Sequence, residues 1–234
     1  MKEQHLEGTV VITRKQKRGR GQRGTIWESD AGKNLTLSIL LYPTFLTPDE
    51  QFSLSKVISL GVLEFVGFCL TPNPSPQGGG NKRSEIKIKW PNDIYIVDKK
   101  AAGILIENSV SGNKLQRSII GIGINVNQEK FSAELPNPTS LKIISGKDFD
   151  LEDCLEQLCS CIESKYLQLK ANHFEKINGD YLQNIYHFGK QENYKYKGEI
   201  LKAKITGVTK FGKLMLEIEK EKVLECNFKE VEFC

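Results

Sequence analysis

Four apolar, β-branched runs follow one another between Glu85 and Val126: Glu85 to Trp90, Ile94 to Val97, Gly103 to Asn108 and Ser118 to Val126. The links between them are short turns, one of them Ser-Gly-Asn, whereas parallel neighbours need a long crossover. The spacing therefore predicts antiparallel pairing over much of one sheet. Upstream, Thr9 to Thr13 and Asn34 to Leu41 read as two further strands. Asp49 to Phe68 has helical spacing after a Thr-Pro-Asp start that suits a cap and first turn. Leu151 to Asn172 and Phe174 to Tyr186 repeat apolar residues every three to four positions and predict two amphipathic helices.

From Gly189 the pattern changes to short alternating segments, Glu199 to Val208, Lys213 to Glu219 and Lys222 to Phe228, with turns at 210–212 and 219–221. That is the pattern of a small all-β module of SH3-barrel size. The expected division is 1–188 and 189–234. Within the first part, 71–80 packs three prolines and three glycines into ten residues, so 71–84 is expected to be an exposed loop insertion.

With 234 residues, 39% hydrophobic and 26% charged, the chain can bury a real core. Its net charge of +4 favours anionic substrates or acidic partners without demanding nucleic acid. Six cysteines (Cys69, Cys154, Cys159, Cys161, Cys226 and Cys234) form neither a CxxC pair nor an even framework, and read as reduced thiols of a cytoplasmic protein. No metal site is expected. The polar start of the chain does not resemble a signal peptide, and no run of 18 apolar residues is present, so no membrane partner is expected.

Four segments carry polar chemistry. Gly19 to Trp27 (GRGQRGTIW) places glycines and arginines where a backbone can close on a phosphate or a carboxylate. A solvated basic loop and an RGG-like nucleic-acid tail fit the same residues. In Lys89 to Asp93 (KWPND), Pro91 ends a strand and presents Asn92 and Asp93 beside it. Lys99-Lys100 then stands at the entrance of the strand that carries Gly103. In Gly121 to Asn127 (GIGINVN), Gly121 and Gly123 leave a groove on one strand face that suits a flat ligand, and Asn125 offers both donor and acceptor. The spacing is not that of a Rossmann loop.

In this order, the segments resemble the catalytic domain of biotin protein ligases, the biotin–[acetyl-CoA-carboxylase] ligases. The resemblance implies an α+β fold with a mixed, largely antiparallel sheet of the class II synthetase type and a C-terminal SH3-like barrel. It implies activation of biotin by ATP with Mg²⁺ to biotinyl-5'-AMP, then transfer to a lysine of a biotin carboxyl carrier domain. The family's biotin loop maps onto Gln16, Gly19, Arg20, Gly21, Gly24 and Trp27, with Gln16, Gly19 and Arg20 toward biotin. Its catalytic lysine maps onto Lys100, and the aspartate that handles the acceptor lysine onto Asp93. Arg20 and Lys100 would neutralise the reacting phosphate. Lys100, Gly103, Leu105 and Gly123 would line the biotin pocket, and Gly21, Gln22, Arg23, Trp27, Asn92 and Asn125 the nucleotide site. Gln22 and Thr25 stand where the common form has arginines, which predicts weaker retention of the adenylate. A Ser-Thr-Asn segment expected upstream of the loop is not found in the sequence, nor is a helix-turn-helix before Thr9, so a ligase without a DNA partner is expected. The alternatives are a truncated or non-catalytic remnant, a lipoate-type ligase, and a nucleic-acid module on Arg14 to Arg23; against the last stands the lack of interleaved aromatics.

Overall fold

The computed structural model describes residues 5–16, 19–21, 26–71, 85–218 and 222–234. Of the segments singled out above, Gln22, Arg23, Gly24 and Thr25, the turn at 219–221 and all but Thr71 of the 71–84 insertion lie outside them.

Among the described residues, a six-stranded sheet runs in the order β1-β4-β8-β7-β6-β5, built from β1 (Val10–Ile12), β4 (Leu35–Leu41), β5 (Ile86–Lys89), β6 (Asp93–Ile96), β7 (Lys99–Ser111) and β8 (Lys114–Ile124). Every pairing in it is antiparallel, as the short links require. β7 begins at Lys99 and is longer than the sequence pattern indicates, because Val110 and Ser111 still pair with β8 before Gly112 turns at φ +57°. Strand alternation divides the sheet's faces. Leu35, Leu37, Ile39, Ile120, Ile122 and Ile124 join the core, while Thr36, Ser38, Gly121 and Gly123 look the other way.

The core side is covered by α1 (Gln51–Leu70) and α3 (Leu151–Lys170), with α4 (Phe174–Gln183) against α1. A 3₁₀ turn, Pro48–Glu50, leads into α1, and Thr47 and Glu50 form a capping box, with Glu50 Oε2 accepting from Thr47 N at 2.9 Å. α1 buries residues on nearly all sides, from Phe52 and Leu54 to Val66 and Leu70, so it lacks a wide polar face. Contrary to the expectation from the sequence, Pro48–Leu70 is long and apolar enough to cross a membrane by length and composition, but 67% of its apolar window is buried inside this fold. It is the central core helix. A short α2 (Leu141–Ser145), capped by the Ser140 hydroxyl and closed at Gly146, is too brief to announce itself by periodicity.

The C-terminal part is a five-stranded antiparallel sheet in the order β12-β11-β10-β9-β13, consistent with an SH3-like unit. It comprises β9 (Gln191–Tyr196), β10 (Glu199–Val208), β11 (Leu214–Glu217), β12 (Val223–Cys226) and β13 (Val231–Phe233). Its inward residues Tyr194, Ala203, Ile205, Leu214, Leu216 and Cys226 belong to one continuous hydrophobic cluster with the main sheet and helices. Trp90 Nε1 donates to the Gly212 carbonyl at 2.9 Å, and the Trp90 ring lies 6.1 Å from that of Phe228.

Candidate active site

One rung of the main sheet sets the geometry. Thr36 pairs with Gly123, Gly123 with Gly103, and Gly103 with Asp93, so two adjacent strands meet at glycines in the middle of the outer face. That face is roofed by a two-stranded ribbon, β2 (Gly19–Arg20) and β3 (Ile26–Trp27), where the sequence pattern indicates only a loop. The ribbon lays the Trp27 indole into the glycine groove. A β-carbon at Gly103 would come within 3.1 Å of Trp27 Cζ3, and one at Gly123 within 2.8 Å of Cζ2. The groove is thus where the sequence places it, but it is partly filled by the chain's own tryptophan.

Around this floor lies a cavity of about 810 Å³. It brings together Gln16, Arg20, Gly21, Trp27, Asn92, Asp93, Lys100, Gly103, Leu105, Gly123 and Asn125, that is, nearly all the described residues that sequence reasoning selects. Gly19 does not line it; it packs against Trp27 and Gln16 within the ribbon, where any side chain would collide.

The polar groups are held firmly. Lys100 donates its N–H to the Asn137 carbonyl at 2.9 Å and accepts from Thr139 N at 2.9 Å, which fixes the backbone at the start of β7. Its Nζ lies 2.7 Å from Asp93 Oδ2 and 5.8 Å from the centre of the Trp27 ring. The side chains of Lys100 and Asp93 remain 31% and 26% exposed, so the pair is screened by water yet reachable by a ligand. The loop that carries Asp93 is tied down residue by residue. Trp90 holds Gly212, the Pro91 carbonyl accepts from the Tyr181 hydroxyl at 3.1 Å, and the Asn92 amide donates to the Ile104 carbonyl. Burial pushes the Tyr181 phenol up, so it is a neutral donor. Arg20 lies 3.7 Å from Glu107 across the cavity mouth, both well exposed.

Two buried polar atoms of the cavity lining, Trp27 Nε1 and Asn125 Oδ1, have no hydrogen-bond partner among the described residues. Asn125 spends its Nδ2 on the Thr139 carbonyl at 2.9 Å, so its free oxygen is fixed as an acceptor. Unpaired buried groups beside a cavity are the partners a ligand satisfies. Among the described residues no group of three or more His, Cys, Asp or Glu side chains is placed to hold a metal ion. Asp93 and Glu107 already face cations.

The sequence reading missed the part of this cavity that comes from afar. Phe228, Val231 and Phe233 of the C-terminal sheet line it, as does Lys89, whose place on the cavity face follows from the alternation in Ile86–Lys89.

The fold, with this cavity on its outer sheet face, is that of the biotin protein ligases. The biotin protein ligase of Aquifex aeolicus, solved in complex with biotin and ATP, superposes over 100% of this chain and 91% of its own, with a TM-score of 0.77 and 27% identity. The family model described as Biotin/lipoate A/B protein ligase family matches residues 2–125, and the chain belongs to that family of ligases. The biotin–[acetyl-CoA-carboxylase] ligase of Paracoccus denitrificans is 30% identical over 79% of this chain and 74% of its own length. The bifunctional ligase/repressor BirA of Bacillus subtilis is 33% identical over 73% of this chain, which spans half the length of that relative.

Proposed function

We propose that the chain activates biotin with ATP to biotinyl-5'-AMP and transfers the biotin to a lysine of a biotin carboxyl carrier domain in the cytoplasm. The observation that carries this reading is the Lys100–Asp93 pair, 2.7 Å apart beside a glycine-floored cavity with unpaired polar atoms. The likeness to a ligase solved with biotin and ATP supports it.

In the first step a carboxylate oxygen of biotin attacks the α-phosphorus of ATP and pyrophosphate departs. Negative charge builds on the phosphoryl oxygens, and Lys100 and Arg20 neutralise it, each leaving its carboxylate for the ligand. Gln16, Arg20, Gly103, Leu105 and Gly123 bound the biotin end, and Gly19 supports it from behind by packing on Gln16 and Trp27. Gly21, Trp27, Asn92 and Asn125 bound the nucleotide, with Asn125 accepting from it. Mg²⁺ would arrive with the phosphates of ATP and offset their charge.

In the second step the acceptor's lysine amine must be neutral, although free lysine has a pKa of about 10.4. Asp93, freed from Lys100, orients that amine and takes its proton. The ribbon that carries Trp27 keeps water from the anhydride. The test is pyrophosphate release from ATP on addition of biotin, followed by mass spectrometry of an added carrier domain. Release without a gain of one biotin per carrier would leave activation standing and refute transfer; no release would refute the whole reading.

A further inference from the structure

We propose that Lys89 is a second cation of this site, one that holds the phosphates leaving as pyrophosphate. The proposal rests on the ATP-and-biotin reading of the cavity.

Lys89 ends β5. Ile86 and Ile88 point to the core, and Lys89 lies on the cavity face with its Nζ 3.2 Å from the Tyr95 hydroxyl. Two aromatic rings flank the ammonium, that of Tyr95 at 4.7 Å and that of Phe233 at 5.0 Å. Burial pushes the Tyr95 phenol up to about 12, so it faces Lys89 as a neutral hydroxyl and not as a counter-ion. Among the described residues no ion pair within 4.0 Å closes Lys89, whereas Lys100 is closed by Asp93 and Arg20 by Glu107. Burial lowers the basicity of Lys89, with Asp93 raising it again and Lys100 lowering it further. Among the described residues ring faces and a phenol hold this partly desolvated ammonium, with no carboxylate within 4.0 Å, and the cavity is where a full negative charge at contact distance would come from.

The reaction brings that charge. As the carboxylate oxygen bonds to the α-phosphorus, the bond from that phosphorus to the bridging oxygen breaks, and its electron pair leaves on pyrophosphate. The charge that grows on the leaving group is larger in the transition state than in bound ATP, so an ammonium fixed beforehand favours the step. Lys100 is committed to Asp93 until ligand arrives, and Lys89 is not. The C-terminal sheet takes part in fixing it, since Phe233 supplies one ring and the adjacent Trp90 is hydrogen-bonded to Gly212. This assigns the C-terminal unit a share in nucleotide use.

The experiment is calorimetric titration of the whole chain with inorganic pyrophosphate, with ATP and with biotin, for the wild type, Lys89→Met and Lys89→Arg, each checked for folding by thermal melting. Lys89→Met should weaken pyrophosphate binding about tenfold or more, leave biotin binding within about twofold, and be largely restored by Lys89→Arg. Should Lys89→Met fail to fold, Lys89→Gln serves in its place with the same expectation. Equal pyrophosphate affinity in wild type and the neutral variant overturns the proposal. A wild type that binds pyrophosphate through Lys89 yet releases none from biotin and ATP would uphold the anion site and sink the ligase reading instead.

Discussion

The indole of Trp27 lies against the backbone of Gly123, close enough that a β-carbon there would meet ring atom Cζ2 at 2.8 Å and the ring atoms Cε2 and Nε1 closer still. Gly123→Ala must therefore displace the ring, while Gly103→Ala, at 3.1 Å from Cζ3, asks for less. We expect Gly123→Ala to cost about 1–3 kcal/mol of stability, as overpacking does, and to weaken biotin binding about tenfold. The cost should vanish in a Trp27→Ala background. A double-mutant cycle by chemical denaturation reads the coupling, and additive effects would show that Trp27 does not occupy the groove in solution.

The Lys100–Asp93 pair separates the two chemical steps. Lys100→Ala should lower pyrophosphate release by roughly 10²–10³-fold, the range for loss of one preorganised charge, with an unchanged melting temperature. Asp93→Asn should reduce transfer to a carrier more than adenylate formation, because only the second step needs a proton acceptor. Single-turnover assays starting from supplied biotinyl-adenylate distinguish them. Equal loss in both steps for Asp93→Asn would reduce its role to holding Lys100.

Much of this site is legible in the sequence, for a physical reason. Short turns between apolar runs force antiparallel neighbours, and once β7 and β8 pair, Gly103 and Gly123 meet on one face. Asn92 and Asp93 at the start of β6 and Lys100 near the start of β7 follow, because β6 pairs with β7 beside those glycines. What the sequence hides are groups brought in by tertiary docking. Nothing local in Ile26-Trp27 says that the ring folds back on the glycines, and nothing in the polar run Gln191–Tyr196 marks it as the strand that pairs with both β10 and β13. Phe233, next to the last residue of the chain, sets its ring 5.0 Å from the Lys89 ammonium of β5. Such placements depend on packing between distant segments, which neither period nor propensity records.

Lys56 gives a pH dependence of known sign. It is 7% exposed in the second turn of α1, its Nζ 2.7 Å from Asn178 Oδ1 and within 6 Å of the Phe52 and Tyr181 ring centres. Burial lowers its pKa, because the charged form is disfavoured in the fold. The penalty is therefore present in full below the folded-state value and is relieved as pH rises from there toward the unfolded value of 10.5. Lys56→Met should stabilise the protein at pH 7 by about 1 kcal/mol, net of the lost hydrogen bond to half-buried Asn178. The gain should shrink as pH approaches 10. Melting curves at several pH values check this, and a gain that is constant with pH would mean that packing, not charge, is responsible.

The last prediction concerns the division at 188/189, which we propose as a boundary of chain architecture but not of folding. Several contacts cross it, among them the Phe233 ring over the Lys89 ammonium and against the Tyr186 and His187 rings. Trp90 is hydrogen-bonded to Gly212 and packs on Phe228, Phe188 bridges to Ile205, Lys210 lies 3.8 Å from Asp49, and Gly212 sits on the Phe52 ring. Gly212 needs to be glycine twice over, with φ at +86° and no room for a β-carbon beside Phe52. A module of this size is too small to bury much surface alone, and its inward residues continue the main core. The whole chain should thus unfold in one transition, followed identically by tryptophan fluorescence and far-ultraviolet circular dichroism. Gly212→Ala should lower its stability by about 1–3 kcal/mol, the usual cost of a strained φ or a clash. Trp90→Phe, which keeps the packing and removes the donor, should cost about 1 kcal/mol and leave the Gly212 carbonyl to water. If the two probes instead report separate midpoints, the C-terminal sheet folds independently and the docking described by Trp90 and Gly212 is weak.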